Sequence, residues 1–213
     1  MPAPPETTTL PVVVPALLLS LLALLLAACS SNAGTPPAAT ATPAPNVILP
    51  AATATLPIPG SDGQTADGIQ CQVTEQLAYH IHAHLSLIVN GQAVLVPAGI
   101  GIAPPRETQQ GFVVGGKCFY WLHTHDVSGI IHIESPTAQV YTLGQFFAVW
   151  GQPLTATQVA TLTVDAAHPL HAFVGSQPFD GPPDQIQLGT HELITLEIGQ
   201  QVPPPPFTFP AGL

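Results

Sequence analysis

The chain has 213 residues, with 2 Lys+Arg against 12 Asp+Glu and 9 His, and a formal net charge of −10 at pH 7. That balance excludes the basic footprint of a nucleic-acid binder and the polybasic patch that grips anionic lipid heads. It favours a cation as the charged partner and says nothing about the fold.

Val12 to Ala28 reads VVVPALLLSLLALLLAA, with no charge, and ends in Leu26-Ala27-Ala28 directly before Cys29. Small residues ahead of a cysteine at the end of an apolar run mark a lipoprotein signal. Residues 1–28 are then the signal peptide, and the Cys29 sulfur carries the lipid. The n-region departs from the pattern, since it has Glu6 and no Lys or Arg. The competing reading is an uncleaved anchor, but a run of roughly 17 residues is at the short limit for spanning. The lipoprotein reading puts the protein in the cell envelope, lipid-anchored on the extracytoplasmic side of a membrane.

Residues 29–68 are rich in Pro, Thr, Ala and Ser and lack a hydrophobic period, as an extended tether would. Residues 203–213 begin with four prolines and read as a Pro-rich tail. A His-rich β domain is left at 69–202, long enough to bury one ordinary core. Once Cys29 is lipidated, Cys71 and Cys118 remain. An even pair in an oxidising compartment closes as a disulfide, worth about 3–4 kcal/mol on the loop-entropy scale. Their spacing matches no C-x-x-C zinc pattern.

Within the domain the elements are mostly strands. Tyr79 to Val89 alternates, and Asn90-Gly91 separates it from Gln92 to Pro97. Asn-Gly between alternating runs is the strongest short hairpin signal, because both turn positions tolerate positive φ. Glycines 99, 101, 111, 115 and 116 punctuate a long loop. Phe119 to Asp126 and Gly129 to Glu134 form a second hairpin around Val127-Ser128. Thr142 caps a helix over Leu143 to Val149 that Gly151 ends, and a second helical turn is expected at Thr155. His171 to Gly175, Ile186 to Leu188 and His191 to Ile198 complete the strands. The fold class is mostly β, an antiparallel sandwich or open barrel with one or two short helices.

The histidines carry the chemistry. His80, His82 and His84 alternate in HIHAH, so their rings leave one face of a strand, with roughly 6.5–7 Å between neighbours. Ile81, Ala83, Leu85 and Leu87 leave the other face, toward the core. His123 and His125 alternate in LHTHD. With Val127-Ser128 as the turn, Asp126 pairs with Gly129, His125 with Ile130, His123 with His132 and Trp121 with Glu134. Opposed residues share a face, with Cβ atoms about 4.5–5.5 Å apart. His123, His125 and His132 then build a three-nitrogen metal site with an open position. Glu134 and Asp126 stand behind it, placed to orient a ligand imidazole or move a proton. Tyr79 to His84 echoes Tyr120 to His125 at Tyr, His and His, and if the two strands face each other, His82 and His84 join the ligands. The alternative is a solvated or hydrogen-bonded polar face. His168, His171 and His191 show no such pattern, though His191 is a possible outlying ligand.

The stretches YHIHAHLSLIVNGQAVLVPAGIGI, WLHTHDVSGIIHIESP and LGQFFAVWG cover most of the domain. They resemble those of a group of uncharacterised secreted or lipid-anchored bacterial and archaeal proteins. The resemblance implies an exported setting and transfers no catalytic residues. Cupins need a Glu a few residues after H-x-H, and the copper–zinc superoxide dismutases need a glycine-framed zinc loop; both are missing. Alpha-type carbonic anhydrases place H-x-H and a third His on adjacent strands, a similarity of geometry only.

Three functions fit these residues. One is an envelope lipoprotein that captures, buffers or delivers a transition metal ion, Zn or Cu, suited to imidazole ligands. Another is a metalloenzyme in which a three-His metal activates water. The third is a metal-free interaction domain. No G-x-S-x-G, phosphate-binding glycine loop or H-E-x-x-H is found in the sequence.

Overall fold

The computed structural model describes residues 56–213; the signal segment, Cys29 and the first part of the tether lie outside the described residues. In chain order the strands are β1 (Cys71–Gln72), β2 (Tyr79–Val89), β3 (Gln92–Val94), β4 (Glu107–Gln109), β5 (Phe112–Gly115), β6 (Phe119–Tyr120), β7 (Leu122–His123) and β8 (Ile130–Ser135). Helix α1 (Leu143–Trp150) is followed by β9 (Leu154–Thr155), β10 (Gln158–Val159), β11 (Leu162–Thr163), β12 (Leu170–Val174) and β13 (Gln177–Pro178). A 3-10 turn at Pro183–Gln185 and β14 (Glu192–Ile198) complete the order. The fold is mostly β, with small sheets around one seven-stranded sheet and no closed barrel among the described residues.

The large sheet runs β13-β12-β14-β2-β8-β7, with β3 paired to β2. One pairing departs from the antiparallel expectation: β14 runs parallel to β2, Ile194 beside Leu85 and Leu196 beside Leu87. A parallel pair needs a long crossover, and everything from β3 to the 3-10 turn supplies it.

The two faces of this sheet differ as the period-two pattern requires. Ala83, Leu85, Leu87 and Val89 on β2 join Ile131 and Ile133 on β8 and Ile194, Leu196 and Ile198 on β14 in the apolar core. The buried face of α1, with Phe146, Phe147, Val149 and Trp150, belongs to the same core. Thr142 and Gln145 form a reciprocal capping box at its start, and Gly151 ends it at φ 73°. Asn90 and Gly91 turn the first hairpin at φ 49° and 77°, pairing Val89 with Gln92.

The segment around Thr155 is not helical; it is the three-strand meander β9-β10-β11, and the turn of helix falls at Pro183–Gln185 instead. Ile186 to Leu188 is not a strand but makes one bridge, Gln187 to Thr142, as its chain caps the entry to α1. The long loop after β3 contains the hairpin β4–β5.

Packing contacts extend past residues 69 and 202 at both ends of the domain. Packing begins by Leu56, which is buried, and Trp150 Nε1 donates to Pro57 O at 2.9 Å. Gly60 N donates to Trp150 O at 3.0 Å, and a Cβ at Gly60 would lie 2.5 Å from Val149 O, so glycine permits that approach. At the other end Phe207 stacks on His84 at 3.6 Å between centroids and Phe209 on His191 at 4.4 Å. Two aromatic rings among the prolines give the tail something to bury, which composition alone does not reveal.

Candidate metal centre

The polar face of the sheet is centred on β8. His132 has His82 as its Cα partner on β2 and His123 on β7, and Glu134 has His80. The expected register at His123–His132 is thus present, and Glu134 N donates to Trp121 O at 2.8 Å. The pairing stops there, contrary to the expected hairpin, and His125 does not face Ile130 in a ladder. The strand edge beyond His123 is taken by other backbone: Thr124 N donates to Ile100 O, Gly99 N to Thr124 O, and Val113 N to His125 O.

This bend returns His125 to the cluster. Its Nε2 lies 3.1 Å from His123 Nε2. The other nitrogen of each ring is committed, His123 Nδ1 donating to Tyr120 O at 2.9 Å and His125 Nδ1 to Val113 O at 2.6 Å. Both hydrogens are therefore spent on backbone, and two bare lone pairs converge. Such backbone anchoring fixes tautomer and orientation in metal-bound imidazoles.

His132 Nδ1 donates to Glu134 Oε1 at 3.2 Å, and Glu134 Oε2 lies 3.9 Å from His123 Nε2 with no hydrogen-bond partner although buried. His123, His125, His132 and Glu134 are all buried, and one ligand atom from each falls within 4.8 Å of the others. This group could hold a metal ion. His80, His82 and His132 form a second group of the same kind.

Burial lowers the His123 imidazole to about 3 despite the Glu134 charge, and lowers His82 to about 4 with help from His132 and His80. Burial lowers His125 as well, against its bond to Val113. These rings are neutral at neutral pH, the form that ligates. Burial acts to raise the Glu134 carboxyl, but the bond from His132 and the nearby imidazoles outweigh it and hold it below the ordinary carboxylate range.

Two expected residues stand elsewhere. His84 remains in β2 opposite Ile130, where its Nε2 bonds Ser128 O at 2.9 Å and its ring carries Phe207. The echo between the two strands fails at this point because β2 continues straight while β7 ends at His123. Asp126 satisfies its own turn, accepting from Ser128 N at 2.9 Å. His168 pairs with Asp165 apart from the cluster, while His191 sits at its edge, its Nε2 donating to Leu213 O and its backbone N to His82 O at 2.7 Å.

One residue was not visible as a participant in the sequence. Glu75 Oε1 lies 3.4 Å from His125 Nε2 and 3.9 Å from His123 Nε2. Burial, then the charge of Glu134, raises its carboxyl, while His132 acts the other way. The available signal was the disulfide. Cys71 bonds Cys118, and β1 pairs with β6, which brings the chain just after Cys71 beside the chain just before His123. No protein-family model, curated protein or solved structure matches this chain.

Proposed function

We propose that the protein is a membrane-tethered extracytoplasmic lipoprotein whose His-rich sheet face binds a transition metal ion, Zn²⁺ or Cu²⁺, for capture, buffering or delivery. The observation that carries the metal reading is the approach of His123 Nε2 and His125 Nε2 to 3.1 Å with both Nδ1 hydrogens donated to backbone carbonyls. Two unprotonated nitrogens repel unless a cation sits between them. The edge of a tetrahedron of ligands around Zn²⁺ is roughly 3.3 Å for bonds of 2.0–2.1 Å, close to that spacing. His132 and Glu134 supply the remaining donors and part of the charge. Imidazole with one carboxylate suits Zn²⁺ or Cu²⁺ over the hard ions. All four groups are buried, which favours retention of an ion over turnover of a substrate.

The anchoring half rests on the apolar run that ends at Cys29. Mass spectrometry of the membrane fraction should find an acylated Cys29 as the new N-terminus, and Cys29→Ser should release the protein. An unmodified, uncleaved N-terminus would remove that half alone. For the metal, calorimetry on the purified full chain in detergent should give a Kd for Zn²⁺ or Cu²⁺ well below about 100 µM, which corresponds to about 5.5 kcal/mol. His123→Ala and His125→Ala should each weaken it more than tenfold. If neither ion binds tighter than about 100 µM, the metal function falls.

A further inference from the structure

The polar face holds more donors than one ion uses, and they fall into two groups that share His132, with the Glu134 carboxylate lying between them. Around the first lone-pair convergence stand His123, His125 and, at 3.9 Å from His123, Glu134 Oε2. On the other side of β8, His80 Nε2 lies 3.1 Å from His82 Nε2 and 3.1 Å from Glu134 Oε1. These separations again match the edge of a ligand shell, roughly 3.3 Å for tetrahedral Zn²⁺. The two oxygens of Glu134 are thus divided, Oε1 toward His80 on β2, where it also accepts from His132 Nδ1 at 3.2 Å, and Oε2 toward His123 on β7. Oε2 is buried and without a hydrogen-bond partner among the described residues, the condition of a donor atom whose partner is an ion.

The sheet geometry places Glu134 where this division can arise. Glu134 sits on the middle strand, directly opposite His80, with β7 on its other flank. His132, one pleat repeat along β8, falls within ligand range of both groups. A carboxylate between two clusters of imidazoles can bind a different ion with each oxygen. Two-metal sites place their ions roughly 3.5–4 Å apart, within reach of one bridging carboxylate.

We propose a dinuclear centre on this face: a second divalent transition metal ion held by His80, His82 and Glu134 Oε1, with Glu134 bridging to the first ion through Oε2. This rests on the metal-binding reading of the His123 and His125 pair. The second site is the more open one, since the His80 side chain is 38% exposed while those of His123 and His125 are 0% and 8% exposed. The second ion is therefore the one that exchanges with solvent, or with a donor or acceptor of metal, first.

The test is metal stoichiometry and magnetic coupling in the purified full chain, loaded with Cu²⁺ alone. Equilibrium dialysis with elemental analysis should give two ions per chain at saturation. Electron paramagnetic resonance of the doubly loaded form should show loss of isolated-copper intensity and a half-field transition, the signature of a coupled pair. His80→Ala, at the partly exposed position, should leave one ion with an ordinary isolated-copper spectrum. Glu134→Gln should abolish the coupling. A wild-type stoichiometry of one, lost on His123→Ala and unchanged by His80→Ala, would overturn the second site while leaving the first. Two ions without coupling would overturn the bridge, and no ion at all would remove both readings.

Discussion

His123 and His132 are direct partners across β7 and β8, their rings stacked with centroids 5.3 Å apart and planes 13° from parallel. His82 flanks His132 from the other side at 4.6 Å, nearly perpendicular. Imidazoles this close cannot all be charged, and burial keeps His123 down to about 3 and His82 to about 4. Unfolding frees both to titrate near 6.5. Between about pH 6.5 and 4 the unfolded chain binds more protons than the folded one, so stability falls as pH falls. The slope reaches up to about 2.7 kcal/mol per pH unit for two such groups. Above about pH 6.5 this contribution is complete. Urea melts of metal-free protein at about pH 7.5, 6 and 5 would show it, and a flat profile would contradict the neutral cluster.

His84 separates the two readings of the HIHAH strand. It bonds Ser128 O and lies outside the groups placed to hold an ion. His84→Ala should leave the metal Kd within about twofold, whereas His132→Ala, which removes a donor, should raise it at least as much as the roughly ten- to hundredfold seen on loss of a group that only orients a ligand. Calorimetry on the two variants decides it. Equal losses would return His84 to the ligand set.

The Cys71–Cys118 bond spans a sequence separation of 47. The loop-entropy relation assigns such a closure about 4 kcal/mol. Reduction should lower the melting temperature by about 8–16 °C, at about 2–4 °C per kcal/mol for a folded region of this size. It should also weaken metal binding severalfold, because Glu75 follows Cys71 on the tethered segment and faces His125 at 3.4 Å. Glu75→Gln in the oxidised protein should reproduce the loss of affinity with little change in melting temperature.

Gly101 carries the tightest approach near the site. A Cβ there would lie 2.2 Å from Leu122 O and 2.8 Å from His123 Cβ, at a φ of +72°. Gly101→Ala should cost about 2–5 kcal/mol from overpacking together with the left-handed backbone. It should displace His123 and weaken the metal. Gly111→Ala, at φ +87° with nothing within 4 Å, should cost only about 1–2 kcal/mol and leave metal binding intact. Chemical denaturation of both variants checks the ordering.

The tail beyond Val202 holds to the sheet through Phe207 on His84 and Phe209 on His191. Each aromatic stack is worth about 0.5–1.5 kcal/mol beyond its burial. Truncation after Val202 should lower stability by more than that amount per ring, since the burial of both rings is lost as well. It should also speed amide exchange in β14 and leave metal stoichiometry unchanged. Hydrogen exchange on the truncated chain would check it.

Much of this was legible in order of residues because local rules determine it. The period-two alternation of Tyr79 to Val89 already divides apolar from imidazole faces, Asn90-Gly91 sets the first hairpin, and Thr142 with Gly151 frames the helix. The opposition of His123 and His132 follows from the same counting. Tertiary structure decided the rest. That β14 enters the sheet parallel to β2 depends on a crossover about a hundred residues long, which no local pattern encodes. That His125 turns into the cluster while His84 stays out depends on Ile100 and Val113 occupying the edge past His123, and on Phe207 covering His84. Glu75 reaches the site only because a disulfide and a two-residue ladder bring β1 to β6. Alternation says which face a side chain leaves, but only packed neighbours say what stands across from it.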